Sequence, residues 1–125
     1  MTRLAAVSWL ADLLVVVVFA TLGRLSHAEA LDPAGWLHTA WPFFAGLALG
    51  RAAAAALRLH PLGRRCGTLA WLTTVSCGMV LRHVAEGEGT PVSFVIVASC
   101  FLGLGLLGWR QVLIAVRRAG SARPA

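Results

Sequence analysis

Asp12 interrupts the apolar run that opens the chain, SWLADLLVVVVFA. A carboxylate in such a run costs about 2.5 kcal/mol or more at membrane depth unless it is paired, protonated or turned toward water. Two chemistries fit it: ion pairing that pins helices together, or binding of a proton or substrate. Arg51 and Arg110 lie in later apolar runs, and their long side chains reach toward Asp12, so these three form a candidate polar set inside the apolar region. A second set gathers Arg24, His27, His38, Thr39, Arg82 and His83 near the opposite ends of the runs. Paired guanidiniums with imidazoles suit an anion or carboxylate, which arginine grips in bidentate fashion. The same residues also serve as anchors, matched by Glu29, Asp32, Glu86 and Glu88 or by lipid headgroups. A third feature, Trp41-Pro42-Phe43, places a proline where a helix is expected and predicts a kink.

Other chemistries find no residues. No catalytic set, phosphate loop or zinc pattern is present, so no catalytic residue, metal or cofactor is expected. His38 and His83 alone fall on different helices at similar depth, as paired haem ligands would, and both sit where an imidazole meets water. His60 lies at the opposite end. Cys66, Cys77 and Cys100 show no metal-ligand spacing. They are expected to act as small apolar residues, and a Cys66 disulfide is not expected in a reducing compartment.

The elements that position these residues follow from composition. The chain has 125 residues, 58% hydrophobic and 13% charged, against about 25% charged in soluble domains. Too few polar residues remain to cover a soluble surface, and a lipid bilayer removes the need. Four apolar stretches, about 4–23, 35–57, 67–84 and 92–116, approach the roughly 20 residues that cross about 30 Å of hydrocarbon. Backbone groups cannot stay unpaired in lipid, so all four are expected to be helices. Asp32-Pro33 is a candidate cap for the second helix. Short connections at His60-Pro61-Leu62-Gly63 and Gly87-Glu88-Gly89-Thr90-Pro91 imply antiparallel neighbours. Residues 119–125 are expected to form a disordered cytoplasmic tail.

The net charge of +6 does not read as a nucleic-acid face, because the arginines stand at the ends of apolar runs. With alternating helices, nine fall on one side: Arg3, Arg51, Arg58, Arg64, Arg65, Arg110, Arg117, Arg118 and Arg123. Arg24 and Arg82 fall on the other. Positive residues stay inside, so both termini are expected in the cytoplasm, in a single all-α, four-helix transmembrane bundle (residues 1–118) of the inner (plasma) membrane. Ala28-Glu29-Ala30 resembles a signal-peptidase site, but Asp12 and the long polar segment before it argue against cleavage. Small residues recur at Gly46, Gly50 and Ala54, and at Ala70, Thr74 and Gly78, a spacing that lets helices approach closely.

Asp12, Gly23-Arg24, Ser26-His27, Thr39-Ala40-Trp41-Pro42-Phe43, Gly78, Arg82, Phe94-Val95-Ile96-Val97-Ala98 and Gly108-Trp109-Arg110 together resemble one family over nearly the whole chain. It is the domain-of-unknown-function family numbered three thousand and fifty-four. The resemblance implies a four-helix membrane fold and no activity. It also implies that Asp12, Arg24, His27, Trp41, Pro42, Arg82 and Arg110 belong to the family's pattern. The expected function is that of a non-enzymatic accessory or small-ligand-binding membrane protein. Its partners would be the bilayer, and a second copy or another membrane protein. The alternative is a small proton- or ion-coupled transporter acting as an oligomer, and the third reading is a haem- or quinone-linked redox protein.

Overall fold

The computed structural model describes residues 2–26, 32–87 and 91–122. His27, Glu29 and Glu88 lie outside them. Among the described residues the chain is all-α, with four helices and no strand: α1 (Arg3–Ser26), α2 (Pro33–Ala56), α3 (Arg64–Glu86) and α4 (Val92–Ala122). α3 begins three residues before the apolar run suggests, and α4 continues past it. An apolar run marks where a helix meets apolar surroundings, whereas arginine and alanine are strong helix formers that carry the helix onward. Residues 119–122, expected to belong to a disordered tail, therefore form the last turn of α4. Residues 123–125 fall outside the described residues.

The ends follow local chemistry. Asp32 caps α2, its carboxylate accepting from the Gly35 amide at 2.9 Å, with Pro33 in the first turn. α3 stops at Gly87, whose φ of 67° closes the helix through its amide to the Arg82 and His83 carbonyls. α2 ends in a turn where the Arg58 amide bonds the Ala55 carbonyl (3.0 Å) and the Leu59 amide bonds the Ala54 carbonyl (2.9 Å). That turn needs a left-handed residue, ordinarily glycine, and here Arg58 takes it at φ 58°. α2 runs unbroken through Pro42, which has no N–H to offer the carbonyl four residues back.

The helices form a ring, α1 against α2 and α4, α3 against α2 and α4, with no close backbone approach across either diagonal among the described residues. Neighbours run antiparallel, because contacts pair early residues of one helix with late residues of the next. Ser8 meets Arg51 while Arg24 meets Gly35. α2 and α3 approach most closely. A Cβ at Gly46 would lie 2.7 Å from the Thr73 carbonyl oxygen and 2.9 Å from the Thr74 Cα, and a Cβ at Gly50 would lie 3.0 Å from the Ala70 Cα. The two small-residue stripes thus face each other. Phe43 lies where a Gly78 Cβ would stand and meets Phe19 edge-on at 5.0 Å, with Phe94 and Phe101 completing an aromatic core.

The helical segments Arg3–Leu25 and Val92–Gly120 are long and apolar enough to cross a membrane. α2 and α3, expected to match them, fall below that measure. Arg51, His38 and Pro42 dilute α2, and Thr73, Thr74, Ser76, Arg82 and His83 dilute α3.

Gly46→Ala pushes a methyl against backbone that cannot yield, so it is expected to lower stability by about 1–3 kcal/mol. Gly108→Ala, with nothing within 4 Å, should be neutral or gain up to about 1 kcal/mol from helix propensity. Thermal unfolding in detergent checks the pair, and equal melting points would deny that α2–α3 contact sets the packing.

Candidate functional site

Ser8 and Asp12 lie one turn apart and so share a face of α1. Both are fully buried. Asp12 accepts four hydrogen bonds: Arg110 Nη1 at 2.8 Å and Trp109 Nε1 at 2.9 Å on Oδ1, Arg51 Nη1 at 2.6 Å and Arg110 Nη2 at 2.8 Å on Oδ2. Arg110 thus grips the carboxylate with both terminal nitrogens, the strongest arrangement open to the pair.

Two guanidiniums and one carboxylate leave a surplus of one positive charge inside the bundle, and neutral oxygens and ring faces surround it. Arg110 Nε donates to the Pro61 carbonyl (3.0 Å), and Nη1 also to the Leu106 carbonyl (2.8 Å). Arg51 Nη2 donates to Ser8 Oγ at 2.7 Å, and the Ser8 hydroxyl donates in turn to the Ala5 carbonyl. Arg51 stands 4.7 Å over the Trp9 ring and Arg110 4.4 Å from that of Trp109, placing cations on the negative faces of indoles. The stem of Arg110 passes Gly67, where a Cβ would lie 2.8 Å from its Cδ. Cys66 Sγ sits 3.7 Å from Nη2. α1, α2 and α4 therefore meet at the Asp12 carboxylate, and α3 and the α2–α3 connection meet them through Arg110.

One protein family's model matches residues 9–113, under the description "Protein of unknown function (DUF3054)". The chain belongs to this family. The matched span takes in Asp12, Arg51, Trp109 and Arg110 and stops short of Ser8 and of Arg117 and Arg118. No curated protein and no solved structure matches the chain.

Members of the second expected set make contacts at the same end of the bundle as Asp32 and Phe94. Arg24 turns to the start of α2, where Nη1 donates to the Gly35 carbonyl (3.0 Å) and Thr39 Oγ1 (2.9 Å), and Nη2 lies 3.7 Å from Asp32. Arg82 stands 4.2 Å over the Phe94 ring of α4. They occupy helices on a diagonal of the ring, so these contacts belong to two different helix pairs. His38 and His83 are exposed, and His27 lies outside the described residues. Of the third feature, Pro42 and Phe43 are buried and Trp41 is half-buried.

The sequence pattern did not place Ser8, Trp9, Pro61, Cys66, Gly67 or Trp109 beside the acid. Ser8 carried a signal, standing four residues before a buried acid. The Pro61 carbonyl carried none, since any residue has one. The cysteines are free: Cys66 buried, Cys77 half-buried and Cys100 exposed.

Asp12→Asn leaves two buried guanidiniums without a counter-charge, and a loss of about 3–5 kcal/mol is expected. Arg110→Gln on top of it should add little, giving a coupling energy of about 1.5–3 kcal/mol in a double-mutant cycle. Trp109→Phe, which removes one hydrogen bond to a charged oxygen, should cost about 1.5–3 kcal/mol. Additive single and double variants in denaturation would show that the three side chains do not act as a unit.

Proposed function

We propose that the chain is a four-span integral membrane protein with both termini cytoplasmic. In this reading it is non-enzymatic: an accessory or small-ligand-binding bundle whose partners meet it within the bilayer. The observation that carries this reading is an inverted distribution of chemistry. Asp12, Arg51 and Arg110 are buried, while Leu10, Leu14 and Leu104 on the outer faces are 67%, 62% and 77% exposed. Continuous exposed apolar surface of that kind needs an apolar environment. Along the middle of α2 and α3 the polar Arg51 and Thr74 are buried, while His38 and His83 are exposed toward the other end, so a helix of modest hydropathy can still present much apolar exterior.

The carboxylate supports a structural role over a proton-carrying one. Four donors occupy both Asp12 oxygens, and a carboxylate offers about four lone-pair directions. A proton or substrate would have to displace a guanidinium or the Trp109 indole. The bias of arginines toward one end of the bundle supports cytoplasmic termini.

In a background free of other cysteines, Ala34→Cys should react with a membrane-impermeant maleimide in intact cells, and Thr2→Cys only after permeabilisation. The reverse order would overturn the orientation, and release of the chain by alkaline carbonate would overturn membrane integration. In proteoliposomes the wild type and Asp12→Asn should show the same proton flux. A flux present in the wild type and lost in the variant would move the function to proton-coupled transport.

A further inference from the structure

Where α2 passes into α3, a depression of about 440 Å³ opens between the connection and α4. Arg58, Arg64, Arg65 and Arg118 line it with His60 and Ile114. Three local costs are concentrated there. Arg58 holds a left-handed conformation that a glycine would occupy without strain. Arg64 and Arg65 stand in the first turn of α3, the end whose dipole repels cations, and Gly63 before them offers no side-chain cap. Four arginines also line one space. Among the described residues no carboxylate stands beside them: Asp12 is enclosed by Arg51 and Arg110, Asp32 belongs to the opposite end, and the backbone of α3 ends at Glu86 roughly 33 Å away at 1.5 Å per residue. Arg64 Nε is held by Gln111 Oε1 at 2.9 Å, and His60 Nδ1 takes the Leu62 amide at 3.1 Å, which leaves the His60 proton on Nε2.

A single oxyanion relieves the two electrostatic costs, and the strained backbone of Arg58 is what brings a further guanidinium to it. We infer that this depression binds the phosphate of an anionic phospholipid headgroup, an assignment that rests on the membrane reading above. Guanidiniums and uncapped first-turn amides recognise the phosphate. Half-buried Leu59 and Ile114 line it, and half-buried Leu107 continues two turns along the same face of α4, giving acyl chains an apolar path that a free phosphorylated solute would not use. Local rules are broken together at this one place, which marks side chains kept for binding.

The test uses the full chain in nanodiscs of neutral phosphatidylcholine, titrated with phosphatidylglycerol and read by thermal melting and by lipid retained in native mass spectrometry. The wild type should retain phosphatidylglycerol about 25-fold better than Arg65→Gln/Arg118→Gln, at roughly fivefold per arginine. Arg58→Gly should melt at or above the wild type in neutral discs yet bind the anionic lipid about fivefold more weakly. Equal retention by all variants would overturn the site, as would an Arg58→Gly protein that gains stability with no loss of affinity. Displacement of the lipid by glycerol phosphate at matched phosphate concentration would overturn the lipid assignment in favour of a soluble phosphorylated ligand. Failure of the membrane reading shows separately, as a chain that does not enter neutral discs at all.

Discussion

One carboxylate held between two guanidiniums governs how this chain can fold. Asp12 is completely buried, and a charge in that position must be matched in every direction it faces. α1 and α4 are apolar nearly all round. Val16 and Phe19 face inward while Leu10, Leu14 and Val18 face outward, the same chemistry on both sides. Hydrophobic patterning therefore cannot decide how either helix rotates about its axis. The charges can, because turning α1 by half a turn would strand Asp12 outside and leave Arg51 and Arg110 buried without a counter-charge. A buried ion pair contributes little net stability over well-packed apolar residues. Its use here is to select one rotation and one axial register for helices that otherwise offer several.

The remainder of the bundle divides the work by helix pair. α2 and α3 meet through Gly46, Gly50, Ala70 and Thr74, where close backbone approach supplies dispersion contacts. α1 has no comparable stripe. Polar contacts hold it toward both ends instead: Ser8 and Asp12 at one, Thr21 and Arg24 at the other, where the Trp36 indole donates to Thr21 and Arg24 donates to Thr39. The aromatic group around Phe19 and Phe43 fills the space between. Arg24 thus clamps α1 to α2.

Asp12, Arg51 and Arg110 were legible in the sequence because a charge inside an apolar run has few ways to be satisfied. The partners that complete the site were not. A carbonyl such as that of Pro61 has no residue-type signature, and the Trp109 indole fits an interface and a buried acceptor equally well. The helix count was legible from apolar runs and breakers, whereas the ends of α3 and α4 were not, since arginine and alanine extend a helix without extending its apolar face. Arg58 is the clearest case of the second kind. Its left-handed backbone is fixed by the turn from Ala54 to Leu59, and nothing in the residue type announces it.

The two arginine-rich places in the molecule differ in a way that bears on function. Around Asp12 every strong donor that reaches the carboxylate is matched, and the surplus charge rests on carbonyls and indole faces. That arrangement is closed, and ligand entry would have to break it. At the end of α2 the arginines converge with no acid beside them among the described residues, on a strained residue and against a helix dipole. Folding minimises such conflicts where it can, so a conflict kept at a surface depression implies a counterpart that comes from outside the chain. The Arg110 bond to Pro61 joins the two places through the α2–α3 connection. The buried cluster thereby fixes the position of the loop from which Arg58 and His60 project, and the closed site serves as the foundation of the open one.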